Sequence, residues 1–246
     1  MTETTVLITG ASGGIGQALV ERLAGQHHLL LVARDEARLQ ALAARHPGCS
    51  VVSADCASEP GMHAIGNALD ALPPLAGFAH LVGSLQLKPA HRLSLAEWRA
   101  CQASNLDSAF LVLRLAVQRL IAQGQPMAGV FVTSVAAEVG LANHEAIAAA
   151  KAGIAGLLRA AAATYAERGL RLNAIAPALT ATPLTAGFLV SPAAREQLAA
   201  RHPLGRIGTP EDQAAAVAWL LSTESSWVTG QVLGVDGGFA ALRTQR

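Results

Sequence analysis

The chain has 246 residues, a length that suits one α/β domain. Just over half of it is apolar (52%) and only 14% is charged, so a large core can be buried. Eighteen Lys and Arg nearly balance 17 Asp and Glu, which excludes a global field favouring nucleic acid or an anionic membrane surface.

The first strand is expected at TTVLIT (4–9), followed by a helix from about Ile15 to Leu23. LLLVA (29–33) reads as the second strand, and DEARLQALAARH (35–46) as a helix with Asp35 as its N-cap. SVVSA (50–54) is the third strand, and a helix over roughly 59–72 stops before Pro73–Pro74. GFAHLV (77–82) is the fourth strand. One long helix is expected from Ser94 to Ala122, with Ser94 as N-cap and Glu97 closing a capping box. GVFVTS (129–134) is the fifth strand, 144–168 a second long helix and RLNAIA (171–176) the sixth strand. The stretch 177–208 is irregular with a short helix near 192–201. A last helix, 210–222, follows the cap-and-proline pair Thr209–Pro210, and QVLGV (231–235) is the final strand.

Strands alternating with helices imply a parallel sheet with right-handed crossovers. Strands apolar nearly throughout imply a sheet covered on both faces. No repeat, linker or low-complexity segment divides the chain. The apolar runs are interrupted by Arg114, Arg119 and Arg159, so no membrane span is expected. No basic-then-apolar leader pattern opens the sequence. Cys49, Cys56 and Cys101 form no CxxC pair, which reads as reduced thiols in a cytoplasmic protein. No histidine or cysteine spacing suggests a metal.

The turn TGASGGIG (9–16), with Ser12 inside it, joins the first strand to the first helix. Glycines there allow backbone to approach a phosphate closely, and a helix N-terminus attracts the anion. Arg34, at the end of the second strand, suits the 2′-phosphate of NADP(H); NAD(H) stays possible. Asp55 closes the third strand on the same edge. The segment 178–208 is long for a connection and carries Leu179, Leu184, Phe188, Leu189 and Val190, which suggests a lid over an apolar substrate.

These residues together resemble the short-chain dehydrogenase/reductase family along nearly the whole chain. The glycine motif stands as Thr9, Gly10, Gly14, Ile15 and Gly16, and the adenine-contact aspartate matches Asp55. The helix asparagine matches Asn105, the strand-end serine Ser134 and the YxxxK lysine Lys151. Pro177 matches the proline after the sixth strand, and Thr182 the cofactor-facing threonine, with Thr180 beside it. The resemblance implies a single-domain Rossmann fold over 1–246, a seven-stranded mostly parallel sheet with helices on both faces, and a homo-oligomer. A tetramer is expected, with the long helices 94–122 and 144–168 at one interface. It also implies an NAD(P)(H)-dependent oxidoreductase acting on a small, apolar carbonyl or alcohol.

Three departures stand out. Ile147 lies 13 residues after Ser134 and four before Lys151, where the resemblance implies tyrosine. His80–Leu81–Val82–Gly83 replaces NNAG, leaving Val82 and Gly83 to line the cofactor. Ala178 replaces the glycine after Pro177. The only tyrosine, Tyr165, is 18 residues beyond Ile147, ~27 Å along a helix, and reads as packing. Family tyrosines donate a proton, a contribution of roughly 10²–10⁴-fold. In their absence the donor is His144, on the same helical face as Ile147 and Lys151, or Glu145, or water near Ser134 and Lys151. The alternative is a catalytically silent cofactor-binding subunit or sensor. A third reading keeps catalysis but directs hydride at a conjugated alkene or a protonated imine.

Overall fold

The computed structural model describes residues 4–244. Seven strands form one sheet: β1 (Thr5–Thr9), β2 (His28–Ala33), β3 (Cys49–Ser53), β4 (Leu75–His80), β5 (Met127–Val132), β6 (Leu170–Pro177) and β7 (Val232–Val235). Their order is β3-β2-β1-β4-β5-β6-β7, and every pair is parallel, a stricter arrangement than the mostly parallel sheet expected. The strand order reverses between β1 and β4, the switch point where ligands bind in such sheets.

Along β1, Leu7 packs to one face and Val6 and Ile8 to the other; along β2, Leu30 and Val32 alternate with Leu29 and Leu31. Both sets are buried, so the strands read as unbroken apolar runs. α1 (Gly14–Leu23), α2 (Glu36–Ala43) and α8 (Pro210–Leu221) cover one face. The other face is covered by α3 (Glu59–Asp70), α5 (Ser108–Gln123) and α6 (Glu145–Tyr165). α4 (Leu95–Gln102) precedes α5, and α7 (Pro192–Ala199) lies in the segment after β6. Capping follows the sequence: Asp35 accepts from the Arg38 N–H at 3.0 Å, and Ser94–Glu97 and Thr209–Asp212 form reciprocal boxes.

The single long helix expected over 94–122 is two helices. Between α4 and α5, Ala103–Asp107 widen into a π-helical turn. Side chains intrude on the ladder there: Asn105 Nδ2 donates to the Cys101 carbonyl at 2.9 Å, and Ser108 Oγ to that of Ser104 at 2.9 Å. Carbonyls taken by side chains four residues on favour such a local widening.

β4 and β5 each sit two residues earlier than expected. Leu81 remains apolar and hydrogen-bonds the Thr9 carbonyl at 3.0 Å beyond the last residue of β4. Apolar character therefore outlasts the strand. A second correction concerns the bilayer. Despite Arg159, the helical stretch 145–168 is long and apolar enough to cross a membrane by length and composition. In the fold, Ile154, Leu158, Ala161 and Ala162 of α6 are buried in the core cluster on one face of the sheet.

The segment after β6 leaves and re-enters through a narrow neck. The Ala181 N–H donates to Gly208 O at 2.9 Å, and the Gly208 N–H to Leu179 O at 3.0 Å. Between them lie a 3-10 stretch (Pro183–Phe188) and α7.

Candidate active site

The glycine turn sits on the C-terminal edge of the sheet, between β1 and α1. Gly10 has a left-handed φ of 75°, and a Cβ there would come within 2.8 Å of Leu81. A Cβ on Gly16 would come within 2.4 Å of the Gly10 carbonyl. The start of α1 thus packs directly against the turn, and its first N–H groups, which have no intrahelical acceptor, face outward. This cradle fits a pyrophosphate.

Thr9 belongs to a different environment from the one expected. It is fully buried, and its hydroxyl meets His80 Nδ1 at 2.8 Å. His80 Nε2 meets Ser108 Oγ at 3.1 Å. Burial, reinforced by the charge of Lys151, pushes the imidazole pKa down to about 3. The pair ties β1, β4 and α5 together behind the cofactor edge, and neither residue faces the cleft. Arg34 and Asp55 are exposed after β2 and β3. Asp35 is occupied as the α2 cap and pairs with Arg38 at 3.3 Å, so its carboxylate is engaged within the helix start.

A cleft of about 450 Å³ opens beside the turn, within the range of small-molecule sites. It gathers Ile15, Val82, Gly83, Asn105, Ser134, His144, Ile147, Lys151, Pro177, Thr180 and Thr182 from across the chain. α6 brings Ile147 and Lys151 one helical turn apart on one buried face. Lys151 is 7% exposed, and its Nζ donates to the Val132 carbonyl at 2.9 Å. Burial lowers its pKa to about 8. Ser134 caps the short turn 135–137, its Oγ accepting from the Ala136 N–H at 3.1 Å. That contact occupies a lone pair and leaves the hydroxyl hydrogen to donate.

Asn105 is buried in the π turn. Its Oδ1 accepts from the Ser84 N–H at 3.3 Å, and its Nδ2 donates to Cys101 O and Ser84 Oγ. Ser84 lines the cleft and meets Ser104 Oγ at 2.6 Å. It directly follows Gly83, so its position beside the motif was the signal that sequence reasoning passed over. His144 is the N-cap residue of α6, with Nδ1 donating to the Ala142 carbonyl at 2.7 Å. Glu145 is exposed, accepts from the Ala90 N–H at 3.2 Å and does not line the cleft. Tyr165, at the far end of α6, packs against the core.

Ile147 is 3% exposed and packs with Cys101 and Ala146 while lining the cleft. Leu85, Leu141, Leu184 and Phe188 make most of the remaining wall apolar. Among the described residues no carboxylate lines the cleft and no cluster could hold a metal.

A family model described as enoyl-(acyl carrier protein) reductase matches residues 10–240. The chain belongs to the short-chain dehydrogenase/reductase family. It is 37% identical to a cis-4-hydroxycyclohexanecarboxylate dehydrogenase of Sinomonas cyclohexanicum, over 98% of each chain. It is 34% identical to a 2,5-dichloro-2,5-cyclohexadiene-1,4-diol dehydrogenase of Sphingobium indicum, over 97% of each. The crystal structure of levodione reductase superposes with a TM-score of 0.91 at 30% identity, covering 99% of this chain and 100% of that one. These relatives are dehydrogenases or a reductase, and an NAD(P)-dependent oxidoreductase acting on a small molecule follows for this chain.

Proposed function

We propose that the protein interconverts an apolar cyclic secondary alcohol and its ketone using NADP(H), with Lys151 holding the proton that a tyrosine would otherwise transfer. The observation that carries this reading is the pairing on α6. Ile147 presents hydrocarbon to the cleft, and one turn later Lys151 presents an amine whose pKa is pulled down to about 8. An amine that ionises near neutral pH can both take and give a proton.

A bound nicotinamide supplies or accepts the hydride. In the reducing direction Ser134 donates a hydrogen bond to the carbonyl oxygen, and Lys151 supplies the proton that converts the alkoxide to an alcohol. Val132 occupies one of the three ammonium hydrogens, leaving two for the cleft. Asn105 and Ser84 position the wall behind the lysine. The apolar wall and the cyclohexane-type substrates named for two relatives support a ring alcohol. Residues 178–208 act as a lid over it, their Leu184 and Phe188 facing the same cleft. Arg34, free of a carboxylate partner among the described residues, supports NADP(H) over NAD(H). The same reading includes a homo-oligomer, expected as a tetramer: Phe110 and Ile121 of α5 are exposed at 48% and 54%, an apolar face a second copy would cover. Light scattering tests the assembly.

The deciding experiment is turnover of cyclohexanol and cyclohexanone with NADP(H), with NADPH binding measured in parallel. Binding without turnover of any ring alcohol or ketone offered would favour the silent-subunit reading instead. His144, which lines the cleft one turn before Ile147, is the competing donor. His144→Ala is expected to change kcat by less than about threefold, because the group it would deliver is supplied by Lys151; a drop near the 10²-fold scale of general acid catalysis would transfer the role to His144.

A further inference from the structure

At the end of the cleft formed by the lid and the C-terminal segment, Arg201, His202 and Phe239 meet. Both Arg201 and His202 line the cleft that holds Lys151 and Ser134. The Arg201 guanidinium lies 5.8 Å from the Phe239 ring centroid, and the His202 ring 5.3 Å from the same centroid. His202 is 3% exposed, and its Nδ1 donates to the Leu198 carbonyl at 2.9 Å. Its other nitrogen, Nε2, is buried and has no hydrogen-bond partner. Arg201 is exposed and makes no ion pair among the described residues.

Two features there are available to a ligand. A buried imidazole nitrogen left without a partner forgoes a hydrogen bond that a ligand group can restore. A guanidinium stacked on an aromatic ring at the mouth of an apolar, carboxylate-free cleft is a preorganised cation without its anion. The segment after β6 is tied to the C-terminal loop at this point, where the Leu204 N–H donates to Gly237 O at 3.1 Å; the Gly205 N–H turns back to His202 O at 2.8 Å within the segment. Asp236 holds that loop by accepting from the N–H groups of Gly238 and Ala240, each at 2.8 Å, which sets Phe239 against Arg201 and His202.

We infer that Arg201 and His202 form a carboxylate subsite, so that the substrate is a ring alcohol carrying a carboxylate distal to the reacting carbon. Arg201 pairs with the charge, and His202 Nε2 meets the second oxygen once a proton lies between them. Phe239 positions both. The inference rests on the ring-alcohol reading above and names its substrate class more narrowly.

The test compares 4-hydroxycyclohexanecarboxylate with its neutral carboxamide in the wild type and in Arg201→Gln and Phe239→Leu. The wild type is expected to prefer the carboxylate in kcat/KM. Arg201→Gln should reduce that preference by about 10- to 100-fold, through KM rather than kcat, the range of one charge-assisted contact. Phe239→Leu should reduce it by a smaller factor. Calorimetry with cyclohexanecarboxylate, which lacks the reacting hydroxyl, gives a readout free of catalysis: binding is expected to the wild type in the presence of NADP+ and to weaken by the same factor in Arg201→Gln. Turnover of both compounds with a preference that Arg201→Gln leaves unchanged would overturn the subsite and leave the oxidoreductase reading standing. Turnover of neither compound, with cyclohexanol and cyclohexanone also inert, would overturn the reading itself.

Discussion

Replacing Ile147 by tyrosine tests the whole account of the proton. Ile147 is 3% exposed and packed by Cys101, Ala146, Leu85, Leu93 and Trp98 on one side, with the cleft of about 450 Å³ on the other. A tyrosine ring can extend into that space, so the cost falls near the lower end of the roughly 1–3 kcal/mol usual for overpacking. A loss of about 1 kcal/mol lowers the melting temperature by roughly 2–4 °C in a chain of this size. The hydroxyl would stand one helical turn before Lys151, whose charge favours the phenolate and so brings the phenol nearer to working pH. General acid catalysis of roughly 10²–10⁴-fold corresponds to about 2.7–5.4 kcal/mol off the barrier. Because Lys151 already supplies the proton, the expected gain is at the lower end, near 10²-fold in kcat/KM. The assay is initial-rate reduction of cyclohexanone by NADPH in Ile147→Tyr and in the double variant Ile147→Tyr/Lys151→Met. The gain should vanish in the double variant, since the two groups act as a unit. A folded, NADPH-binding Ile147→Tyr enzyme with less than about a threefold gain would refute the reasoning.

Lys151 should leave its signature in the pH profile: ketone reduction needs the ammonium and should fall above about pH 8, whereas alcohol oxidation needs the free amine and should rise through about pH 8. Stopped-rate profiles in both directions check the opposed signs. Arg34→Glu should move cofactor preference from NADP(H) toward NAD(H), read as the ratio of the two kcat/KM values, because a carboxylate repels the 2′-phosphate and accepts from ribose hydroxyls. His80 predicts a stability slope. Its folded pKa of about 3 lies below the ordinary 6.5, so its contribution is complete above pH 6.5 and is lost as pH falls toward 3. Between pH 7.5 and 5 the loss is about 2 kcal/mol, at about 1.4 kcal/mol per pH unit below 6.5. Urea unfolding of the wild type and His80→Gln should differ by that much in their pH dependence; parallel curves would contradict it.

The strands were legible because both faces of the sheet are buried, and the caps because Asp35, Ser94 and Thr209 act on residues within three positions. Lys151 and Ile147 were legible as a pair because helical spacing alone brings them to one face. What was not legible depends on which carbonyls side chains take and on contacts distant in sequence. The π turn needs Asn105 and Ser108 to take carbonyls within a helix whose composition reads as uninterrupted. Thr9 matches the glycine motif, yet its hydroxyl is claimed by His80, 71 positions away. Phe239 joins Arg201 and His202 only because the C-terminal loop folds back over the segment after β6.

The neck at Leu179, Ala181 and Gly208 has a consequence for how this scaffold changes its chemistry. Two backbone hydrogen bonds close the excursion at its base, so the framework holds the loop's ends at a fixed separation whatever lies between them. Doubling the length of such a loop costs only about 0.6 kcal/mol in closure entropy. The stretch carrying Leu184, Phe188 and Arg201 is therefore a replaceable cartridge: another sequence spliced between Thr182 and Gly208 would meet the same sheet edge, the same lysine and the same glycine turn, and would change what is recognised while leaving how the hydride moves untouched.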